Sequence, residues 1–456
     1  MKRRWEELLQ PITFRDRTPK TDFDGRNPFE ADYGRLISSS PIRRLQDKTQ
    51  VFPLEQSDFI RTRLTHSLEV SYIASSIGTS IEKYLFDEKH LDEKYKGQLS
   101  SLLRVAGLVH DLGNPPFGHF GEEAIKKFFD NYFIKNPGIK LNEQERKDFI
   151  NFDGNVQAFR ILKRLHYFGD EHSYNLTYPS LASIIKYPSN SIDGNLGKKA
   201  IEIRKKKFGY FITESNDYEE INKILKLNNK RHPVVYLLEA ADDIAYCAAD
   251  IEDGLKLGTI NLEDIKGIFR ENLGENSSLN LELEELCKNI KAEKSDYAIV
   301  VVQKFRVKAQ SIMIGEIIKS FIKNYDSIME GNLESEIIDI SKASDIRSSF
   351  KKLQHIVFDN KKIMQAELAG WEAIYGLLEI FIPAILSEDF DSTKNSRESR
   401  IYKSISSSYR YYYENFSTKY HSNDIYNRIQ LVVDFISGMT DSYSISLFQK
   451  LKGIKI

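Results

Sequence analysis

Apolar residues recur along most of this chain at the spacing of a helix rather than that of a strand. Leu64, Leu68, Ile73, Ile77, Ile81 and Leu85 return nearly every fourth residue, which lines one face of a helix starting near Leu64. Residues 102–109 are apolar nearly all round, as in a fully buried helix. Ile125, Phe128, Phe129, Tyr132 and Phe133 trace another one-sided stripe. Residues 234–249, 300–322, 363–385 and 425–451 read as further helices, the first starting at Pro233. Alternating strand patterns are scarce, so the pattern predicts an all-α fold. Between residues 11 and 60 it breaks: Pro11, Pro19, Pro28, Pro41 and Pro53 interrupt any long element. That segment reads as an irregular arm wrapping a helical body.

Composition narrows the class. The chain has 456 residues, 41% apolar and 29% charged, which describes a globular protein with a sizeable core and excludes a disordered chain. At about 150 residues per domain the length fits three units or one large domain with insertions. The 65 basic and 66 acidic side chains leave a net charge of −1 and no global pull toward nucleic acid or membrane. Cys247 and Cys287 make no disulfide framework, and neither has a second thiol at metal-ligand spacing. The charged start lacks an apolar stretch behind it, so no signal peptide is expected. The most apolar run, residues 375–386, holds Glu379 and Pro383 and is shorter than the ~18 residues of a spanning helix. The expectation is a soluble, cytoplasmic protein. Two biased stretches remain: the basic run 204–207, read as a solvated helix face, and the tyrosine- and serine-rich 404–413, read as a loop with packed aromatics.

The chemistry concentrates in His66, the pair His110-Asp111, and the doublet Asp242-Asp243. A divalent metal takes neutral imidazoles and carboxylates that tertiary packing brings together. These donors sit in otherwise apolar helices, where an ionised carboxylate costs several kcal/mol unless paired or metal-bound. A lone histidine on a helix is usually a satisfied core or surface residue; three donor groups with an acidic doublet point to a metal. After His110 the chain runs Asp-Leu-Gly-Asn-Pro-Pro-Phe-Gly-His119-Phe-Gly-Glu122. Gly113, Pro115, Pro116 and Gly118 end the helix and force a tight loop, which swings His119 back over the metal. Glu122, three residues on, lies within reach of the His119 imidazole. A His–carboxylate dyad beside a metal is equipment for proton transfer in a hydrolytic displacement.

This set resembles the HD superfamily of metal-dependent phosphohydrolases and, within it, the deoxyguanosinetriphosphate triphosphohydrolases (dGTPases). Segments 43–52, 61–70, 110–122, 185–188, 239–246 and 434–441 carry the likeness and span nearly the whole chain in order. The resemblance implies an all-α, multi-helical HD core at residues 59–256. An N-terminal arm, 1–58, would contribute to the active site. A helical region, 257–456, would complete the nucleotide pocket and the contacts of a homo-oligomer. His66, His110, Asp111 and Asp242 would hold one divalent ion, manganese or magnesium, with Asp242 preferred over Asp243 by its place in the motif. His119 and Glu122 would be the catalytic dyad. Gln50 would meet the deoxyribose 3′-hydroxyl and Arg63 the α-phosphate, while Tyr246 and Asp250 would flank the sugar. Asn155, Lys186, Tyr187 and Arg306 would contact the triphosphate. The implied reaction is water attack on the α-phosphorus of a dNTP, releasing deoxynucleoside and tripolyphosphate. A dNTP effector at an oligomer interface, and weak single-stranded nucleic-acid binding through lysine patches, are further expectations. Residues 257–360 match the family loosely, which leaves base preference open. Two other readings compete: an HD phosphomonoesterase or phosphodiesterase, and a non-catalytic nucleotide or nucleic-acid-binding module.

Overall fold

The structure, a computed structural model, describes residues 3–17, 24–55, 60–166, 170–291, 296–390 and 393–454. Among these residues the protein is all-α, and the one β-type contact is an isolated bridge between Thr49 and Thr62. The arm is more helical than the proline count suggests. Pro28 and Pro41 occupy the first turns of α1 (Pro28–Ile37) and of a short helix at Ser40–Arg44. A proline in a first turn costs no hydrogen bond, because that N–H has no helical partner, so these prolines start helices rather than prevent them. Asn27 completes the start of α1 with a capping box to Glu30.

Helix α2 (Arg63–Asp87) begins where Thr62 caps it and packs on α3 (Gln98–Val109); of the predicted stripe it buries Ile73, Ile77, Ile81 and Leu85, while Leu64 is half-buried and Leu68 is exposed. Two glycines let these helices close. A Cβ on Gly107 would lie 2.6 Å from Ser71 Cα, and one on Gly78 would lie 2.9 Å from Ser100 Cα. The loop after α3 leads into α4 (Gly118–Lys135), and a short α5 (Gly154–Arg160) packs beneath that loop. Helix α6 (Pro233–Lys256), longer at its C-terminus than its apolar pattern indicated, lies across α2 and α3 and is backed by α7 (Tyr297–Lys323) and α8 (Ser344–Phe358).

Helix α9 (Lys361–Leu386) is the one described helix long and apolar enough to cross a membrane by length and composition, so the apolar stretch exceeds the short run read from the sequence. More than half of its most apolar window, 56%, is buried within the protein, against α4, α10 (Asp424–Ser437) and α11 (Asp441–Leu451). It is packed as a core helix. The single helix expected over residues 425–451 is thus two, because Gly438 ends one and Thr440 caps the next. The tyrosine-rich stretch is not a loop: Ser407–Tyr420 is helical, with Tyr409 and Tyr412 buried.

Candidate active site

Three helices bring the four metal-type donors together. His66 lies in the first turn of α2, His110 caps the end of α3, Asp111 follows it, and Asp242 projects from the middle of α6. His66 Nε2 is 3.1 Å from Asp242 Oδ1, and His110 Nε2 stands 3.4 Å from the same oxygen and 3.6 Å from Asp111 Oδ1. The His110 ring is oriented from behind, its Nδ1 2.8 Å from the Gly107 carbonyl. That leaves Nε2 buried with no hydrogen bond, facing two carboxylates. A buried nitrogen lone pair beside two carboxylates and a second imidazole fits a divalent cation. Burial alone would lower the His110 pKa, but Asp111 and Asp242 raise it. Burial works equally against the Asp111 charge, and the His110 and Arg63 charges outweigh it to hold that carboxyl low. Asp111 is further fixed by Arg63 Nη1 at 2.6 Å and Asn114 Nδ2 at 2.7 Å. The other member of the doublet, Asp243, is elsewhere engaged, 2.8 Å from Arg347 and 3.7 Å from Lys351.

Beside this cluster Phe117, in a left-handed conformation with φ 61°, turns the chain into α4 and presents His119. The His119 side chain is 88% exposed to the cavity and solvent, and its Nδ1 lies 3.1 Å from Glu122 Oε2. The hydrogen bond to Glu122 is the main cause that raises the His119 pKa. Glu122 is itself buried, and its other oxygen accepts the Gly154 N–H at 2.8 Å.

These groups open onto a cavity of about 360 Å³. Its wall contains Gln50, Arg63, Asn155, Lys186, Tyr187 and Tyr246 alongside His110, Asp111, His119, Glu122 and Asp242. Gln50 Oε1 is buried without a hydrogen-bond partner. Tyr246 sets its ring edge-on to His66 at 6.4 Å. Lys186 is held 3.8 Å from Glu239, which in turn pairs with Arg231 at 2.9 Å.

Comparison with known proteins agrees with this arrangement. The HD domain family model matches residues 63–245, which takes in all four metal-type donors and the His119–Glu122 pair. A Listeria innocua protein named deoxyguanosinetriphosphate triphosphohydrolase-like is 39% identical over 468 aligned residues, covering 99% of this chain and all of the relative. A Listeria monocytogenes protein of the same name matches equally. The chain belongs to the deoxyguanosinetriphosphate triphosphohydrolase family. A Yersinia pseudotuberculosis relative, named deoxyguanosinetriphosphate triphosphohydrolase without qualification, is 30% identical over 480 residues and covers 93% of each chain.

Of the residues that the family resemblance pointed to, His66 lies just behind the cavity wall, against Asp242, and two expected substrate contacts lie away from it. Asp250 is buried and accepts a hydrogen bond from Gln354 at 2.9 Å, so the sugar-flanking place expected for it is not where its side chain points. It sits two helical turns past Asp242, deep enough in α6 to meet α8 instead. Arg306 faces Glu252 at 3.5 Å and Glu69 at 3.8 Å, in a cluster that also holds Arg61. Neutralising those carboxylates takes its charge away from the cavity. Lys207 does the opposite. Read as part of a solvated run, it lines the cavity and pairs with Asp153, the cap of α5. Nothing in a run of four basic residues distinguishes the one that turns inward; only tertiary packing does.

Proposed function

We propose that this dGTPase-family chain hydrolyses deoxynucleoside triphosphates, dGTP among them, at the α-phosphorus. The observation that carries the reading is one cavity lined by His110, Asp111 and Asp242, with His66 buried against Asp242, together with a His–Glu dyad and the cations Arg63, Lys186 and Lys207. A triphosphate brings about four negative charges, and positioning a phosphoryl group for displacement needs them neutralised. His66, His110, Asp111 and Asp242 would hold a divalent ion, Mn²⁺ or Mg²⁺, which supplies Lewis acidity toward phosphate oxygen and water.

Arg63, tied to Asp111, is placed to hold an α-phosphate oxygen beside that ion. The water oxygen bonds to the α-phosphorus while the bond from phosphorus to the 5′-oxygen breaks. The departing 5′-oxygen needs a proton. His119 is placed to supply it: the Glu122 hydrogen bond raises its pKa and so favours the protonated ring, and with Nδ1 on Glu122 its Nε2 is the edge left for the substrate. The products are deoxynucleoside and tripolyphosphate. Gln50, with its buried orphan oxygen, would accept the 3′-hydroxyl. Tyr246, one turn after Asp242 on the same face, would close the space at C2′.

The test is a panel of dGTP, GTP and dideoxy-GTP with manganese. An unpaired buried hydroxyl costs roughly 1–3 kcal/mol, so dGTP should exceed GTP by about ten- to a few hundredfold in kcat/KM. Dideoxy-GTP should be poor because Gln50 is left unsatisfied. Equal hydrolysis of GTP and dGTP would overturn the reading of Tyr246 as a gate and favour a different nucleotide phosphohydrolase.

A further inference from the structure

Two of the sequence segments that carry the family likeness, 43–52 and 434–441, contribute few groups to the chemistry described above, yet they are stitched to each other along their length. Arg44 Nη1 donates to the Gly438 carbonyl at 2.9 Å, and Ser442 Oγ donates to Asp47 at 2.8 Å. The buried Lys48 ammonium donates to the Ser437 carbonyl at 2.9 Å and to the Asn114 carbonyl at 2.6 Å. Among these stitches lies Asp441, the first residue of α11, which is itself buried.

The Asp441 carboxylate divides its two oxygens between two separate parts of the site. Oδ2 accepts the Thr49 backbone N–H at 2.9 Å and also the Thr49 hydroxyl. Oδ1 accepts the Phe117 N–H at 3.0 Å. Thr49 immediately precedes Gln50. Phe117 is the left-handed residue that turns the chain into α4, two positions before His119. A non-glycine residue in that conformation persists only where its surroundings hold it, and here the hold is a carboxylate from the far end of the chain. The same arm segment is pinned on its other side, since the Arg63 N–H donates to the Lys48 carbonyl at 2.9 Å.

We infer that Asp441 is a positioning residue that sets the sugar-binding arm at Gln50 and the proton-transfer turn at His119 from a single point. It lies outside the cavity wall and bonds Thr49 and Phe117 rather than the metal-type donors, and the inference rests on the dNTP hydrolase reading above. One carboxylate fixes the separation between the group that grips the 3′-hydroxyl and the group that protonates the 5′-oxygen. Those two oxygens belong to one sugar and are only a few bonds apart, so the spacing of the groups that meet them has to be matched. An error of about 1 Å in such a spacing costs on the order of 10²-fold in rate.

Asp441→Asn keeps the shape but presents an amide N–H₂ to one of the two donor sets. In the full-length, manganese-loaded protein it should retain metal and a cooperative thermal transition. Its kcat on dGTP should fall roughly 10- to 100-fold, and its preference for dGTP over dideoxy-GTP should shrink several-fold. Thr49→Val removes only the hydroxyl donor on the arm side. It should reduce the same preference by raising KM for dGTP more than it lowers kcat, and it carries the test if Asp441→Asn does not fold. A purely structural role would lower activity on both substrates in proportion and leave their ratio unchanged. Active wild-type protein with both variants showing an unaltered ratio would overturn this inference alone. Wild-type protein with no turnover of any dNTP would overturn the underlying reading and this inference with it.

Discussion

Glu122 meets a donor with each of its oxygens, the Gly154 N–H on one side and the His119 ring on the other, and that division has a measurable consequence. The His119 pKa is raised chiefly by the Glu122 hydrogen bond. A general acid works while protonated, so activity that depends on His119 is present below the raised value and lost as pH rises through it. Glu122→Gln keeps an oxygen for Gly154 but removes the charge that raises His119. The alkaline limb of the kcat–pH profile should therefore move to lower pH, with a rate loss smaller than the ~10²–10⁴-fold that a missing general acid costs. An alkaline limb that stays in place would assign the limb to another group. The site donors were legible at this scale because buried charge is rare without a reason: His66, His110, Asp111 and Asp242 interrupt apolar helices, and the structure brings them together. Choosing Asp242 over Asp243 needed the motif; in the structure Asp242 meets both imidazoles, while Asp243 is turned toward Arg347. Asp250, Arg306 and Lys207 were not legible, because their directions are decided by partners distant in sequence: Gln354, Glu252 and Asp153.

Helices announced themselves by period, and their ends by chemistry that the period does not contain. The buried face of α2 was readable from Ile73 onward, though not at Leu68, which is exposed; the break between α10 and α11 hung on Gly438 and the Thr440 cap. The arm was misjudged for the same reason. Pro28 and Pro41 are breakers inside a helix and starters at its first turn, and the pattern alone does not say which. The closeness of α2 and α3 has its own sequence cause in Gly107, whose missing side chain lets Ser71 approach. Because His66 and His110 ride on these two helices, their spacing depends on that contact. Gly107→Ala should push the pair apart, cost about 1–3 kcal/mol of stability and weaken metal retention. The denaturant midpoint together with bound-metal content checks this; an unchanged midpoint with full metal would show that the interface absorbs the methyl.

Across the whole molecule, the site is assembled from parts that lie far apart in sequence. The arm supplies Gln50, α2 and α3 the imidazoles, α4 the dyad, α6 the second carboxylate, and α11 the residue that ties arm to dyad. No single segment of the chain contains a working half of it. That dispersion is why motif order along nearly the full length was informative, and why the 39% identity to the Listeria innocua relative over 99% of the chain carries more weight than the HD match alone. Which bond is cleaved decides the matter. The direct measurement is mass spectrometry of the products of dGTP with the manganese-loaded protein in water enriched in heavy oxygen, with phosphorus NMR after the manganese is chelated. The proposed cleavage between the α-phosphorus and the 5′-oxygen gives deoxyguanosine and intact tripolyphosphate, with the heavy oxygen on a terminal phosphorus of the tripolyphosphate. Pyrophosphate with dGMP, or orthophosphate with dGDP, would contradict it.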